Sequence, residues 1–395
     1  MAAPVFPDSP DSPIPAPAGT GPRVNLDAGG NSRLREIGRK AYAQALEDGW
    51  ADPRRLHFEG RRAAALLSGA RETCAAILGT TTSEVHFASS LAVAAEHAIT
   101  GILRGRRRVG DTVVTSAIER AIILNALTHS GARVHTLGVD QLGRLDPALL
   151  AAAVGAPQVA LTVLAQGNHE VGTLSPLAAA TAAAQGARVP LLLDAAASIG
   201  QVPVPTGWDG LLASPADWGG GPGIAILALR ARTRWQRTWP EDQDPWFPGG
   251  VSVPAAVAAA VTLEAAERDR VAHAQFAAWA TERIAQTVQT IGDCEVIGDR
   301  ADRLPGVLTF SCLYIDGEAL TTELDRQGFA VGSGSACTSL TLEPSHVLGA
   351  MGVLTHGNIR VVLDHDVTRT QIEQFCAALP PAVAAVRSAM GVDGL

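Results

Sequence analysis

From Val24 onward the chain alternates between short apolar or β-branched runs and longer alanine-rich stretches. The runs at 112–115, 134–137, 159–163, 190–194 and 223–229 lack the in-out alternation of a strand with one wet face, which predicts buried parallel strands. Stretches such as 145–154 and 177–185 carry the composition of helices between them. Strand and helix in alternation predict an α/β fold with a mostly parallel sheet sandwiched by helices. A Pro/Gly-rich segment at 245–254 is followed by a long helical stretch over 255–290. Strand-like runs at 307–311 and 329–332, then further helices, predict a smaller C-terminal α+β domain. Residues 1–22, rich in proline with Ser, Asp and Gly between, predict a disordered tail. The expected organisation is therefore a tail (1–22), a large α/β domain (23–255) and a small C-terminal domain (256–395).

Composition narrows the function classes. A hydrophobic fraction of 47% and a formal net charge of −8 fit a globular core and give no electrostatic case for nucleic acid or an anionic membrane. The basic run from Arg104 to Arg108 predicts a solvated turn. No apolar run predicts a membrane span, and the N-terminus lacks the basic-then-apolar pattern of a signal peptide. Five cysteines without C-x-x-C spacing argue against a zinc site or a disulfide scaffold, which suits a reducing cytoplasm. Basic residues are almost all arginine: Lys40 is the one lysine of 395 residues. Arginine replaces lysine at little cost on a surface, but its guanidinium stays protonated and is a poor nucleophile.

Several motifs then appear in a fixed order. They include Asn25-Leu26-Asp27, Leu56-His57 with Gly60-Arg61-Arg62, Ser116-Ala117-Ile118-Glu119 and Asn168-His169-Glu170-Val171-Gly172-Thr173. Leu193-Asp194-Ala195-Ala196, Gly332-Ser333-Gly334-Ser335-Ala336-Cys337-Thr338-Ser339 and Asn358-Ile359-Arg360 follow. In this order the chain resembles the cysteine desulfurases, the sulfur-mobilising branch of the class-V aminotransferases, from Asp27 to about Asp364. The octapeptide around Cys337 is the most specific match.

The resemblance implies a pyridoxal-phosphate (PLP) enzyme whose lysine forms a Schiff base and whose aspartate pairs with the pyridinium nitrogen. Asp194 stands at that aspartate's position, and Arg360 matches the arginine that holds the substrate carboxylate. Cys337 matches the nucleophilic thiol. At the lysine's place, in the block Ser214-Pro215-Ala216-Asp217, this chain has Asp217. The stacking histidine after Glu119 is Arg120, the glutamine ending the aspartate strand is Ala197, and the phosphate turn reads Ala88-Ser89-Ser90-Leu91-Ala92-Val93. Lys40 falls on a predicted helix with an apolar stripe through Leu34, Ile37, Ala41 and Ala45, which points it to solvent.

The expected site is thus a vestigial pocket of Asp194, Asn168, Arg120 and Ser214, with Asp217 at the lost lysine position, Arg360 for a carboxylate and Cys337 as a sulfur-carrying thiol. No covalently held cofactor is expected, and two carboxylates at 194 and 217 count against PLP bound non-covalently as well. The functional expectation is a binding, scaffold or sulfur-relay protein acting through Cys337. It would form a homodimer or a heterodimer with an active paralogue, and would serve a sulfur acceptor or a biosynthetic protein. A divergent active desulfurase is the alternative, and an idle inherited Cys337 is the plain reading of that loop. His169, His346 and His356 read as structural, with no metal spacing. The tryptophan-containing segment at 230–250 reads either as a partner anchor or as local packing.

Overall fold

The computed structural model describes residues 23–238, 250–333 and 344–392. The chain opens with β1 (Val24–Asn25), α1 (Glu36–Asp48), α2 (Phe58–Leu78), β2 (Val85–Ala88) and α3 (Leu91–Arg106). An alternating stretch follows: β3 (Thr112–Ser116), α4 (Ala121–Ser130), β4 (Arg133–Leu137), α5 (Pro147–Val154), β5 (Val159–Ala165), α6 (Leu177–Ala187) and β6 (Leu191–Asp194). Next come β7 (Gly210–Ala213), β8 (Ala225–Leu229) and the long helix α7 (Val253–Gln289). The C-terminal part holds β9 (Cys294–Ile297), β10 (Val307–Cys312), α8 (Gly317–Arg326), β11 (Phe329–Ala330), α9 (His346–Met351), β12 (Asn358–Val362) and α10 (Arg369–Ala389).

Seven strands form the main sheet in the order β2-β8-β7-β6-β5-β3-β4. The pairs from β4 through β7 are parallel, as the alternation of strand and helix requires. All seven residues of β5 and all four of β6 are buried, which is why these runs are apolar apart from Thr162 and the terminal Asp194. Two expectations are corrected here. The strand at 223–229 is antiparallel to both of its neighbours. The connection from β7 is too short for a crossover helix, so the chain can only turn back. The strand at 134–137 is a sheet edge, with Arg133 to Thr136 exposed and only Leu137 buried.

The smaller sheet is antiparallel, in the order β12-β10-β9. β1 pairs in parallel with β11, so the first strand of the chain joins the C-terminal part through Val24 and Phe329. α7 connects the two cores: Val253 to Ala266 pack with the main sheet, and Ala277 to Val288 pack with the small one. The expected division at 255/256 falls in the first turn of α7.

α1 meets α7 at Gly38, and of the expected stripe only Ala45 is buried. Leu34 and Ile37 are exposed. A Cβ at Gly38 would stand 2.5 Å from the Thr262 methyl, so the helices approach too closely there for any side chain. Cysteine spacing gave no hint of the Cys294–Cys312 disulfide, which joins facing residues of β9 and β10. Trp208 and Trp218 are buried in the main core, and Trp235 packs beside α3. Trp239, Trp246 and Phe247 lie outside the described residues. Among the described residues no helix is long and apolar enough to cross a membrane.

Candidate functional site

The carboxyl ends of parallel strands are where open α/β sheets place ligands, because the loops there diverge and leave a crevice. Asp194 ends β6 and is 2% exposed. Its Oδ1 accepts the Ala196 N–H at 2.9 Å, which fixes the carboxylate against its own turn. Arg120, just before α4, reaches it with Nε at 3.0 Å from Asp194 Oδ2. The same guanidinium lies 3.8 Å from Asp217 Oδ1, a charge pairing longer than a hydrogen bond.

Asp217 closes the short 3-10 turn Pro215–Asp217 after β7. Its side chain is 8% exposed, and Oδ1 accepts the Gly30 N–H at 3.1 Å. The turn is stitched to the N-terminal loop by Ser32 N–H to Ala216 O at 3.0 Å and Arg35 N–H to Gly219 O at 2.9 Å. Gly219 has φ +82°, and a Cβ there would come within 2.8 Å of the Arg33 carbonyl oxygen, so this seam is built for glycine. Burial pushes the Asp217 carboxyl above its usual range and Asp194 adds to that. Arg120, Ser214 and the Gly30 N–H oppose it. Burial and then Asp194 also hold Glu119 well above the carboxylate range. Glu170 is raised by burial, against a hydrogen bond from Ser345.

Of these groups Arg120, Glu170 and Asp217 line a cavity of about 510 Å³, walled also by Asp27, His169, Trp218 and Arg360 among others. Arg360, on β12, pairs with Asp27 at 3.0 Å. Burial, then the charges of Arg120 and Arg360, keep His169 well below its ordinary pKa. Among the described residues no group of three His, Cys, Asp or Glu could hold a metal ion.

Of the residues expected at the site, Arg120, Asp217 and Arg360 line the cavity, and Asp194 is joined to them through Arg120. Ser214 stands behind Asp217 as its hydrogen-bond partner. Asn168 has a different part. Its Nδ2 donates to the Ile118 carbonyl at 2.7 Å, and its Oδ1 accepts the Glu170 and Val171 N–H groups at 2.9 Å each. That amide shapes the turn that presents His169 and Glu170. Ser90 accepts the Val93 N–H as the cap of α3. Lys40 is 76% exposed on α1, 3.5 Å from Glu36. Cys337 lies outside the described residues. Sequence reasoning missed three acids: Asp27 as the partner of Arg360, and the buried Glu119 and Glu170. Their motifs were visible, but burial of an acid is a tertiary property.

Comparisons with known proteins agree on the lineage. The profile of the Aminotransferase class-V family matches residues 24–375. A cysteine desulfurase of Klebsiella pneumoniae is 30% identical over 378 residues, covering 93% of this chain and 94% of that protein. One of Cereibacter sphaeroides is 32% identical over 383 residues, covering 93% and 97%. A solved NifS-like protein superposes with a TM-score of 0.85 at 22% identity, over 92% of this chain and all of the other, which shows the shared fold.

These matches correct the expectation on the cofactor. The cysteine desulfurases and NifS-like structures are PLP-dependent, so PLP is the group that this family implies, against the expectation of no cofactor. Tested on the residues present, the fit is divided. The cavity has the volume for a small aromatic group, but Asp194, at the position that the resemblance gives to the pyridinium's partner, pairs with Arg120 and is not on the cavity wall. No lysine lines the cavity, and Asp217 and Arg120 occupy the positions that the resemblance gives to the anchoring lysine and the stacking histidine. No chemical step is therefore routed through PLP here. With motif order, fold and sequence identity in agreement, the chain belongs to the class-V aminotransferase family, on its cysteine desulfurase side.

Proposed function

We propose that this protein serves sulfur transfer by binding and relay, and does not desulfurise cysteine through a lysine. The observation that supports this most is Asp217: a little-exposed carboxylate, braced by the Gly30 N–H, stands where the family's reaction needs an amine nucleophile. A carboxylate neither condenses with an aldehyde nor shuttles protons as a lysine does. Lys40, on the outer face of α1, is the one alternative amine side chain. Cys337 is the thiol that would accept a sulfane sulfur by exchange and pass it on.

An exposed apolar cluster supports association with a second subunit. Leu46, Trp50, Leu56 and Phe58 lie around the end of α1 and the start of α2, with exposures of 50%, 70%, 87% and 62%. Large apolar side chains gathered on a surface mark protein contacts. The reading is a dimer, either of this chain with itself or with an active paralogue.

The deciding assay supplies PLP, L-cysteine and a reductant, and measures alanine and sulfide. The expected result is no alanine above the protein-free control, together with persulfide on Cys337 when a sulfane donor is supplied and none in Cys337→Ser. Steady alanine production would establish the divergent-enzyme reading instead.

A further inference from the structure

The far end of the main sheet, at the amino ends of β6 and β7, carries a second cavity of about 520 Å³. Its wall brings together Arg106 at the end of α3, Arg188 just after α6, Pro190 and Asp209 just before β6 and β7, and Arg232 and Arg234 after β8. The segment after β8 is clamped in place. Arg230 N–H donates to Asp209 O at 2.8 Å, and Gln236 N–H donates to Gly101 O at 2.9 Å. A Cβ at Gly105 would stand 2.7 Å from the Arg234 carbonyl oxygen, so only glycine lets α3 end against this backbone. Arg106 and Arg234 are thereby held as neighbours. Burial, and then the charge of Arg234, push the Arg106 guanidinium below its usual range.

Charge at this wall does not balance. Among the described residues Asp209 is its one carboxylate, and both oxygens are engaged. Oδ1 lies 3.0 Å from Arg232 Nη2, and Oδ2 accepts the Leu191 N–H at 3.1 Å. Arg106 Nη2 donates to Arg188 O at 3.0 Å, while its buried Nε has no partner among the described residues. Arg106, Arg188 and Arg234 have no carboxylate partner among them either. The carboxyl ends of α3 and α6 bring about half a negative charge each, so the four guanidinium groups exceed the local negative charge by about two units. Arg188 adds an independent sign. Its φ of +56° is the left-handed conformation that favours glycine at a helix end, so an arginine there costs stability that a glycine would not. We infer that this cavity binds a compact oligophosphate, either free pyrophosphate or the diphosphate of a nucleotide. Guanidinium forks match phosphate oxygens, and two adjoining phosphates concentrate the missing negative charge in one small cavity. The site is separate from the cavity of Arg120 and Asp217 and independent of the relay reading. No bond forms or breaks in it.

The test is calorimetric titration of the full chain with sodium pyrophosphate and, separately, with ADP, in magnesium-free buffer of low ionic strength where charge is least screened. Citrate serves as a multivalent anion without phosphate. The expected result is one-to-one binding of pyrophosphate and clearly weaker binding of citrate. Arg188→Gly removes a guanidinium and suits the left-handed backbone. It should melt close to the parent and weaken pyrophosphate by roughly tenfold, the worth of one charge-assisted hydrogen bond. Arg234→Gln should weaken it by a similar factor. Arg108→Gln, at an exposed arginine outside the cavity, should leave binding unchanged. ADP binding more tightly than pyrophosphate would assign the site to a nucleotide, and the reverse order to the free anion; either result supports the inference. No heat and no thermal shift with pyrophosphate or ADP overturns it, as does equal affinity for citrate. Equal weakening by Arg108→Gln and Arg188→Gly would mean unspecific surface charge and overturns it too. Binding of a polyglutamate peptide in place of pyrophosphate would overturn it in favour of an acidic protein surface.

Discussion

Arg120 Nε stands 3.0 Å from Asp194 Oδ2, with side-chain exposures of 15% and 1%. This ion pair fastens the start of α4 to the end of β6 across the mouth of the sheet. Removing one partner from a buried pair strands the other charge, which costs about 3–5 kcal/mol, whereas removing both with apolar replacements is often close to neutral. Arg120→Met is therefore expected to lose stability in that range, and Arg120→Met with Asp194→Leu to regain most of it. Urea unfolding of the two variants and the parent checks this. An equal loss in single and double variants would mean that the pair is not the source.

The pH dependence of stability follows from Asp217. Burial raises its folded-state pKa above the unfolded value, so the folded protein holds that proton more tightly. This contribution to stability is full below the unfolded carboxylate pKa of about 4 and is lost as pH rises through the raised folded value. Glu119 and Glu170 act in the same direction. Asp217→Asn should thus match the parent near the bottom of this window and exceed it above, with a shallower decline that the two glutamates keep from vanishing. Melting temperatures across the window measure it, and unchanged slopes in the variant would refute the assignment.

The Cys294–Cys312 disulfide closes a loop of sequence separation 18 between adjacent strands. A crosslink of that span stabilises by roughly 3 kcal/mol, chiefly by constraining the unfolded chain. Cys294→Ser with Cys312→Ser should unfold at correspondingly lower denaturant, and the parent should do the same after reduction. An intact-mass difference of two hydrogens between the oxidised and reduced protein would confirm the bond itself.

The exposed cluster of Leu46, Trp50, Leu56 and Phe58 predicts self-association through that face if the partner is a second copy. Trp50→Asp with Leu56→Asp should shift sedimentation from dimer to monomer while leaving the fold intact, because neither side chain contributes to a core. A parent already monomeric at micromolar concentration would point to a different protein as the partner.

The parallel strands and their order of appearance were legible because uniform apolar runs separated by helices admit few other arrangements. The motif order pointed to the family, and the resemblance gave Asp217 and Arg120 as the residues to look for at the site. Other features depended on long-range geometry. β8 runs antiparallel because its connection is short, and β1 joins the C-terminal part because Val24 pairs with Phe329 across the length of the chain. Leu34 and Ile37 had the spacing of a buried stripe, yet α1 meets α7 through Gly38, where only a missing side chain allows the contact.

At the site, the sequence by itself determined which residue types were present: one lysine far from the pocket, and acids and arginines at the positions that the resemblance marks. Only the tertiary structure decided how they pair. It joined Arg120 to Asp194 and Asp27 to Arg360, and it buried Glu119 beside them. A carboxylate's partner and its exposure to water are set by elements far apart in sequence. No local pattern carries that information, which is why the charge balance of the cavity emerged only once the chain was folded.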